Sequence, residues 1–539
     1  MHIRHNCCYH HNVMFVRSKT TEGRTYLQVV ESYWQDGRPR QRVIATLGRL
    51  DKLTEGGQVD GILRSLGRFA DKVRVCEEYR EGNLEAKQVL KIGPDLICAR
   101  LWRELQIGKI LEKLLSGRKF EFPVERAVYL ATLARLFFPG SDRRTISRAR
   151  DFAVCGEGSL SLHHLYRAMS WLGDNREKVE DELFFANRDL FSSLSVVFFD
   201  TTTLYFEGAG GEYLGRKGYS KDRRPDENQM VLGMVLDGEG RPVASPAWPG
   251  NTTDAATILP VAENLRSRFG VEDIVIVADR GMVGKRNAQE LARLGFTYIL
   301  GVKMRLEKVA MSGVLSRAGR FREVAENLKV KEVRYEGKRY VVCLNPQEAE
   351  RDRLSRQAMV ADLQRKIAES PSSLIGNSGY RRYLKRGTRP EIDWERVKAE
   401  ERYDGKWVLT TNTDLSPEEV ATKYKELWRV ERIFREAKDT LRTRPIYHQS
   451  DSYILGHVFV SFLALLLMHE LKARTGGAFE WDEMKQDLEA LYEVEVEQDG
   501  KTWLLRSPLQ GVAGQVFRAV GVAVPPSAKE ANPNATALF

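Results

Sequence analysis

Cysteine is scarce in this chain of 539 residues, and the positions of the cysteines follow no pattern. Six cysteines stand at positions 7, 8, 76, 98, 155 and 343, without a CxxC pair or a regular spacing. Disulfide frameworks and zinc knuckles need such spacing, so the sequence argues against both. Sparse, unpaired cysteines are typical of a reducing compartment, and we expect a cytoplasmic protein.

Long apolar runs are also lacking. The longest, ILGHVFVSFLALLLM at residues 454–468, has 15 residues and contains Gly, His and Ser. A membrane-spanning helix needs about 20 predominantly apolar residues, so we predict a buried helix here and no membrane partner.

The leader MHIRHNCCYHHNVMF lacks the apolar core of a signal peptide. Its four histidines beside two cysteines resemble a metal site superficially, and we interpret them as an unselected leader, which leaves both Met1 and Met14 open as the start.

Lysine and arginine outnumber the acidic residues, 84 to 74, which gives a formal net charge of +10. An excess of positive charge, in clusters, fits a polyanionic partner and leaves ribosome, RNA and DNA open.

Residues 26–50 alternate in polarity around Asp36-Gly37, which predicts a hairpin. Such a hairpin fits a DNA backbone and a charge-guarded sheet edge equally well. Its basic residues are Arg24, Arg38, Arg40, Arg42 and Arg49.

The hydrophobic pattern predicts an α/β core with an insertion. Strand and helix patterns between residues 195 and 302 give a mixed sheet with crossover helices, and a further strand pattern follows at residues 406–412. No internal repeat is visible. The predicted regions are a basic β-rich N-terminal region for DNA contact at 1–90, a helical block at 91–190, two parts of the core at 191–302 and 406–475, an α+β insertion at 303–405, and a C-terminal region with a flexible tail at 476–539.

Two apolar strand patterns each end in an aspartate. VVFFD ends in Asp200 and DIVIVAD ends in Asp279, and both strands have apolar residues on both faces, as central strands do. One such residue is ordinary, because Asp often caps the following turn. If the two strands are neighbours, however, the carboxylates converge, and a divalent cation between them would offset their repulsion. Asp226 and Asp254 lie in polar turn contexts, so we rank them lower.

The helix predicted after residue 416 offers a third acid. Ser416 and Glu419 form a capping box that fixes its start. Tyr424, Glu431 and Lys438 follow at intervals of nearly two helical turns and would share one face. Alone, such a stripe would be a solvated salt-bridge face; beside two aspartates it supplies a third ligand. Oxygen ligands without Cys or His suit Mg²⁺ or Mn²⁺, and two such ions serve phosphodiester hydrolysis and strand transfer.

These residues resemble a known family, the bacterial cut-and-paste insertion-sequence transposases. Asp200, Asp279 and Glu431 are similar to its DDE triad, and the stretch from Tyr424 to Lys438 is similar to its Tyr-Arg-Glu-Lys signature. Where that signature expects arginine, this chain has Leu427, as a longer-chain branch of the family does. Further stretches typical of the family are GNTTDAAT at 250–257, RYDGKWVLTTNTDL at 402–415 and RPIYHQSDSYILGH at 444–457.

The resemblance implies a ribonuclease-H-like catalytic core, in which a mixed five-stranded sheet with flanking helices carries the aspartates on its first and fourth strands. It implies metal-dependent cleavage at the ends of an insertion sequence and strand transfer into target DNA. The implied cofactor is Mg²⁺, as two ions, with Mn²⁺ as a substitute. The implied partners are terminal inverted repeats, target DNA and a second copy of the chain, in a nucleoid-associated complex of the bacterial cytoplasm.

Further basic residues are candidates for DNA contact. Tyr424 and Lys438 would hold phosphates near the cleaved end, and helix-surface salt bridging is the alternative. The run GYRRYLKRGTRP interleaves basic residues with two tyrosines, which suits backbone contact and base stacking, or a solvated loop. The remaining candidates are Arg429, Arg432, Arg435, Arg381, Arg382, Lys385 and Arg386.

Two other functions stay open at this point. A nuclease with the same core would cut DNA without joining it. A domesticated DNA-binding protein would have lost catalysis, and the intact triad argues against that reading. A pre-cleaved end mixed with target DNA separates a transposase from a nuclease, because only the transposase yields a joined product.

Overall fold

The structure is a computed structural model that describes residues 13–35, 38–67, 70, 75, 78–82, 84–154, 160–188, 195–270, 274–282, 284–369, 380–385, 390–498 and 500–531. The chain divides into two compact units. The smaller one joins the N-terminal part, up to Val89, to Glu493–Pro508 and Pro525–Thr536. The larger one contains Leu90–Tyr492 and Leu509–Val524. The predicted C-terminal region therefore contributes to both units, and residues 532–539 of its predicted flexible tail lie outside the described residues.

Strands and helices occur in both units. The described strands are β1 (Val13–Thr21), β2 (Arg24–Gln35), β3 (Arg38–Arg49), β4 (Ala86–Lys91), β5 (Val196–Tyr205), β6 (Gln229–Leu236), β7 (Pro242–Ala244), β8 (Ala247–Pro249), β9 (Val275–Ala278), β10 (Thr297–Gly301), β11 (Arg322–Ala325), β12 (Leu328–Tyr335), β13 (Lys338–Leu344), β14 (Lys406–Thr411), β15 (Tyr492–Gln498), β16 (Lys501–Arg506) and β17 (Ala528–Glu530). The described helices are α1 (Leu50–Glu55), α2 (Gln58–Gly67), α3 (Gly93–Glu104), α4 (Ile107–Leu115), α5 (Val124–Phe137), α6 (Asp142–Ala149), α7 (Leu162–Ala186), α8 (Asp254–Phe269), α9 (Lys285–Arg293), α10 (Lys308–Ser316), α11 (Pro346–Glu369), α12 (Trp394–Glu400), α13 (Pro417–Lys425), α14 (Trp428–Arg435), α15 (Asp451–Arg474), α16 (Trp481–Glu489) and α17 (Ala513–Val520).

The smaller unit contains two antiparallel sheets. The first has the order β1-β2-β3, and its pair Gln35 and Arg38 closes the predicted hairpin between β2 and β3, which is confirmed. The predicted turn residues Asp36 and Gly37 lie outside the described residues. The second sheet has the order β17-β16-β15-β4. Val494, Trp503 and Ala528 form part of the small apolar core of this unit.

One mixed sheet of ten strands lies at the centre of the larger unit. Its order is β11-β12-β13-β14-β10-β9-β5-β6-β7, with β8 paired to β6. The strand β9 runs parallel to both β5 and β10, and the other pairs are antiparallel. The predicted mixed α/β sheet is therefore confirmed. The predicted strand at 242–248 is split into β7 and β8 around Pro246, which has no N–H for the ladder.

The sheet is wider than the five strands predicted from the resemblance. The segments predicted as core strands lie side by side as β7-β6-β5-β9-β10. On the far side, β14 pairs with β10 and also with β13 from the insertion. An unpaired strand edge exposes N–H and C=O groups that another strand can satisfy, so β14 and the insertion strands extend the sheet instead of forming a separate one.

The apolar segment near the C-terminal end of the core is a buried helix, as predicted. The helix α15 is, among the described residues, the one helix long and apolar enough to cross a bilayer, yet 89% of its most apolar 18-residue window is buried inside the protein. It packs against α5 and α7 of the helical layer. Apolar residues all round a helix are expected where every side of it faces other elements of a core.

Glycines bring α7 and α15 into backbone contact. A Cβ atom added at Gly173 would overlap the carbonyl oxygen of Ser452, and one added at Gly456 would overlap that of Met169. The overlap is reciprocal, and both partners are backbone atoms that cannot move without moving a helix. The two helices can therefore approach this closely only because both positions lack a side chain.

We expect Gly456→Ala to lower the free energy of unfolding by about 1–3 kcal/mol, because the added methyl group forces α7 and α15 apart. Chemical denaturation of the full chain would measure the loss. Gly514→Ala is the matched control, since its Cβ would lie 3.6 Å from Leu509 Cδ1, an ordinary van der Waals distance. Equal stability of Gly456→Ala and the wild type would contradict the close packing of the two helices.

Candidate active site

Asp200 and Asp279 lie next to each other at one end of a parallel ladder. The register between β5 and β9 pairs Val196 with Val275 and ends with Phe199 opposite Ala278. Asp200 is the next residue of β5 and Asp279 directly follows β9, so the two strands are neighbours, as the predicted convergence of the two carboxylates requires. The prediction that Asp200 ends its strand is wrong, because β5 continues to Tyr205 through antiparallel pairing with β6.

The Asp200 carboxylate lies in a half-buried and negatively charged environment. Burial raises the pKa of Asp200 to about 6, the charges of Asp279 and Asp254 add to this rise, and Lys221 and the Thr201 N–H oppose it. The backbone N–H of Thr201 donates to Asp200 Oδ1 over 2.7 Å. An elevated carboxyl pKa beside other acids indicates a site where negative charge is concentrated.

A third aspartate, Asp254, is part of the same cluster. It is the first residue of α8, and its carboxylate accepts a hydrogen bond of 2.7 Å from the Thr201 hydroxyl. The ammonium of Lys221 lies 3.1 Å from Asp254 Oδ2 and 3.9 Å from Asp200 Oδ1. The sequence ranked Asp254 below the two strand aspartates because no strand leads into it. In the structure, Asp254 is positioned by the N-terminus of α8 and not by a strand.

Tyr424 contacts the other aspartate. Its hydroxyl donates to Asp279 Oδ1 over 2.8 Å. This approach requires Gly301 on β10, because a Cβ atom there would overlap the Tyr424 hydroxyl. Burial, together with the charge and hydrogen bond of Asp279, raises the pKa of Tyr424, so the phenol stays a donor. The predicted contact between Tyr424 and DNA stays a prediction.

Glu431 lies apart from this cluster. It is an exposed residue of α14 and lines a surface depression of about 420 Å³ together with Arg432 and Arg435. Within the described ranges, no three Asp, Glu, His or Cys side chains form a group able to hold a metal ion. The structure therefore does not assemble Asp200, Asp279 and Glu431 into one metal site, and the role of Glu431 stays a prediction.

The predicted common face of Tyr424, Glu431 and Lys438 is interrupted. Instead of one helix, α13 ends at Lys425, α14 begins at Trp428, and a π-helical turn spans Glu436–Thr440. Seven-residue spacing fixes a common face only while the helix is continuous. The capping box of Ser416 and Glu419 at the start of α13 is confirmed.

Lys438 is held in a buried ion pair near the cluster. Its ammonium lies 3.0 Å from Asp222 Oδ1, and Arg444 Nη1 lies 3.4 Å from the same oxygen. Asp222 follows Lys221 directly in the chain. Burial lowers the pKa of Lys438, and the neighbouring cations Arg444 and Lys221 contribute to this, while Asp222 opposes it. In the sequence, only the charged stretch SKDRRPDENQ pointed to such a pair.

The other predicted DNA-contacting residues occupy scattered places. Arg429 donates to the carbonyl oxygen of Gly238 over 2.5 Å. The side chain of Arg432 pairs with Glu436 at 3.0 Å, and Arg435 lines the depression beside Glu431. In the insertion, Arg382 pairs with Glu400, and Lys385 lies 3.9 Å from Glu391. Arg386 and the side chain of Arg381 lie outside the described part of the structure.

The donor set around Asp200 fits a hard divalent cation. Asp200 and Asp279 present carboxylate oxygens from rigid strands, and their mutual repulsion is the kind that a divalent cation relieves. Tyr424 fixes one of the two carboxylates by a hydrogen bond, as outer partners of metal ligands commonly do. The arrangement suits chemistry at a phosphorus more than chemistry that needs sulfur or imidazole ligands.

Comparison with models of protein families shows which family the chain belongs to. The model of the transposase DDE domain matches residues 192–467, which is more than half of the chain. The chain belongs to the DDE transposases. The N-terminal domain of IS1634 family transposases matches residues 15–82, and the two matches together support an insertion-sequence transposase. No curated protein matches the chain.

Membership of the DDE transposases agrees with the site. The family implies a ribonuclease-H-like fold and a DNA substrate, and its members generally use divalent metal ions. The matched range contains Asp200, Asp254, Asp279 and Glu431. Lys221 and Asp222 lie in the same range, in the connection between β5 and β6. Sequence reasoning passed over Lys221 and Asp222 because charged residues in a polar loop are usually solvated.

Removing the Tyr424 hydroxyl should raise the Mg²⁺ concentration that this transposase needs. In Tyr424→Phe, Asp279 loses its hydrogen-bonding partner, and we expect the Mg²⁺ concentration for half-maximal DNA cleavage to rise by about 10–100-fold. A titration of Mg²⁺ in a cleavage assay would measure the change. Tyr447→Phe is the control, since Tyr447 is 66% exposed. An unchanged Mg²⁺ requirement in Tyr424→Phe would exclude a role for the hydroxyl in orienting Asp279.

Proposed function

We propose that this transposase cleaves the ends of its own insertion sequence and transfers the freed strands into target DNA. The observation that carries the proposal is the placement of Asp200 and Asp279 at equivalent positions on two parallel strands of the central sheet. Rigid strands hold the two carboxylates close together at a fixed spacing. A carboxylate pair of this kind suits phosphodiester chemistry in a family whose substrate is DNA.

Three acidic residues have distinct parts in this proposal. Asp200 and Asp279 would hold Mg²⁺, with Mn²⁺ as a substitute, and Glu431 would complete the ligand set once DNA is bound. A bound metal pair would supply activation of water or a 3′ hydroxyl and would neutralise charge at the phosphorus. Tyr424 orients Asp279, and Lys221 neutralises part of the charge on Asp200 and Asp254.

The basic residues would position the DNA. Arg432 and Arg435 lie beside Glu431 around the same depression, so a phosphate held there would lie next to the third acid. The basic strands of the smaller unit would contact the terminal inverted repeats by their phosphates. Two ends must be held together for transposition, and we propose a homodimer of the chain in the nucleoid-associated complex of the bacterial cytoplasm.

The test is a cleavage and joining assay with the full chain. The substrate is DNA carrying the genomic flanks of the gene, with Mg²⁺, and the wild type is compared with Glu431→Gln. We expect breaks at the element boundary and joined products, both lost in the variant. Glu418→Gln, on the preceding helix α13, is the matched control and should behave like the wild type.

Other outcomes assign other functions. Breaks without joined products would make the protein a nuclease with a ribonuclease-H-like core. Binding of the flanks without any metal-dependent break would make it a DNA-binding protein. Equal cleavage by the wild type and Glu431→Gln would exclude Glu431 as a metal ligand.

A further inference from the structure

Lys221 makes more polar contacts than a solvated loop lysine. Its ammonium donates to the Thr201 carbonyl oxygen at 2.7 Å and to the Thr201 hydroxyl at 3.0 Å, and it pairs with Asp254 at 3.1 Å. Asp200 Oδ1 lies 3.9 Å away. A lysine ammonium has three donors, so these short contacts use all of them. The cation is therefore fixed in one place, on the side of Asp200 that faces Asp254.

The backbone around Lys221 is also fixed. The Lys221 N–H donates to the Thr203 hydroxyl over 2.9 Å, so β5 binds both the main chain and the side chain of this residue. The next residue, Asp222, is buried and holds Lys438 and Arg444. Lys221 and Asp222 thus connect the catalytic strand to the segment that follows α14. A side chain held at both its backbone and its tip loses little entropy when it orients its neighbours.

We propose that Lys221 is a positioning residue of the catalytic centre, which holds Asp200 and Asp254 in one arrangement and sets how strongly the aspartate cluster attracts a divalent cation. The inference rests on the proposed function for its catalytic consequence. The reason is electrostatic. A unit positive charge 3–4 Å from two carboxylates offsets part of their field, so these carboxylates attract a cation less strongly than they would without Lys221.

Asp200 and Asp254 come from different elements, β5 and α8, and repel each other. Without the ammonium they would separate, or would be drawn together by a cation in a different geometry. Loss of Lys221 should therefore tighten cation binding and slow the reaction at the same time. A residue that only supported the fold would not produce this combination, because local unfolding weakens cation binding and slows the reaction.

The experiment measures Mn²⁺ binding by isothermal titration calorimetry and cleavage of DNA with an element end at saturating Mn²⁺. The proteins are the full-length wild type, Lys221→Met, Lys221→Arg and Lys217→Met, an exposed lysine of the same connection. For Lys221→Met we expect Mn²⁺ to bind at least about tenfold more tightly and cleavage to be at least about tenfold slower. Lys217→Met should match the wild type in both measurements.

Lys221→Arg keeps the charge but cannot reproduce the three short contacts of an ammonium. We expect its Mn²⁺ affinity to stay within about threefold of the wild type and its cleavage to be reduced by at least about threefold. If Lys221→Met does not fold, Lys221→Arg provides the test. Cleavage by Lys221→Arg equal to that of the wild type would then overturn the proposal.

Two results with Lys221→Met would overturn the proposal: an Mn²⁺ affinity equal to or weaker than that of the wild type, or undiminished cleavage at saturating Mn²⁺. Failure of the proposed function looks different. In that case the wild type binds Mn²⁺ but cleaves no DNA, and the Mn²⁺ affinities of the variants still support or overturn the role of Lys221.

Discussion

Replacing Asp279 by asparagine should reduce joining of a pre-cleaved element end to target DNA by about 10³-fold or more. The substitution keeps the size of the side chain and an oxygen that can accept the Tyr424 hydrogen bond, but it removes the charge that would hold a divalent cation. Charge stabilisation by such a cation is worth several kcal/mol in the transition state, and each 1.36 kcal/mol corresponds to about a factor of ten in rate. Asp200→Asn should have an effect of the same order, because Asp200 occupies the equivalent position on β5.

Joining is the measurement of choice for Asp279→Asn because it isolates one chemical step on a defined substrate. DNA binding without metal, measured by gel shift, should stay within about threefold of the wild type, since neutralising an acid removes no DNA contact. Asp226→Asn is the matched control, because Asp226 is an exposed turn residue of the same matched domain. If Asp279→Asn retained joining within tenfold of the wild type, the aspartate pair would not be the catalytic centre.

Replacing Arg241 by methionine should cost about 3–5 kcal/mol of folding stability, because it leaves two buried acids without their cation. Arg241 is the last residue of the turn between β6 and β7, and its side chain is 5% exposed. It pairs with Asp237 at 3.0 Å and with Glu470 of α15 at 2.7 Å, and those side chains are 0% and 4% exposed. This cluster joins the edge of the central sheet to the buried helix.

The control for Arg241→Met uses the same substitution on the surface. Arg293 pairs with Glu290 on α9, and its side chain is 70% exposed. Arg293→Met should change the free energy of unfolding by less than about 1 kcal/mol, because exposed ion pairs contribute little. Chemical denaturation at pH 7.5 would compare the two variants. A similar loss of unfolding free energy in both variants would show that the buried ion pairs of Arg241 do not stabilise the fold.

The loss of folding stability in Arg241→Met should also depend on pH. Burial opposes the change, but His469, whose Nδ1 lies 3.9 Å from Glu470 Oε1, and the hydrogen bond from Arg241 lower the pKa of Glu470 from 4.5 to about 2. In the wild type this contribution to stability is present above pH 4.5 and is lost as the pH falls towards 2. Without the guanidinium, Glu470 loses a hydrogen bond and a charge that lower its pKa, so the variant gains less stability from the ionised carboxylate. The stability difference between the two proteins should therefore narrow as the pH falls from 4.5 towards 2.

Local pattern was enough to find the strands that lead into Asp200 and Asp279. The strand patterns ending in Asp200 and Asp279, the capping box at Ser416 and the buried apolar helix all depend on residues close in sequence. These features follow from backbone sterics, hydrogen bonding and burial within one element. The sequence indicated that the two aspartates would converge if their strands were neighbours, and the parallel pairing of β5 with β9 meets that condition.

The positions of the other charged residues depended on contacts between distant parts of the chain. Nothing near Lys221 in the sequence shows that it will lie between Asp200 and Asp254, since this needs the connection from β5 to fold back onto its own strand. The interruption between α13 and α14 removed the common face expected from seven-residue spacing. The width of the sheet likewise depended on the pairing of β14 with both β10 and β13.

By itself, therefore, the sequence determined the identity of the strands that lead into Asp200 and Asp279, the family resemblance and the charge needed for a DNA partner. Only the tertiary structure decided which charges share a site, because the electrostatic energy between two groups depends on their separation and burial and not on their distance along the chain. Asp254 and Lys221 became part of the aspartate cluster in this way. For the same reason Lys438 became the partner of Asp222.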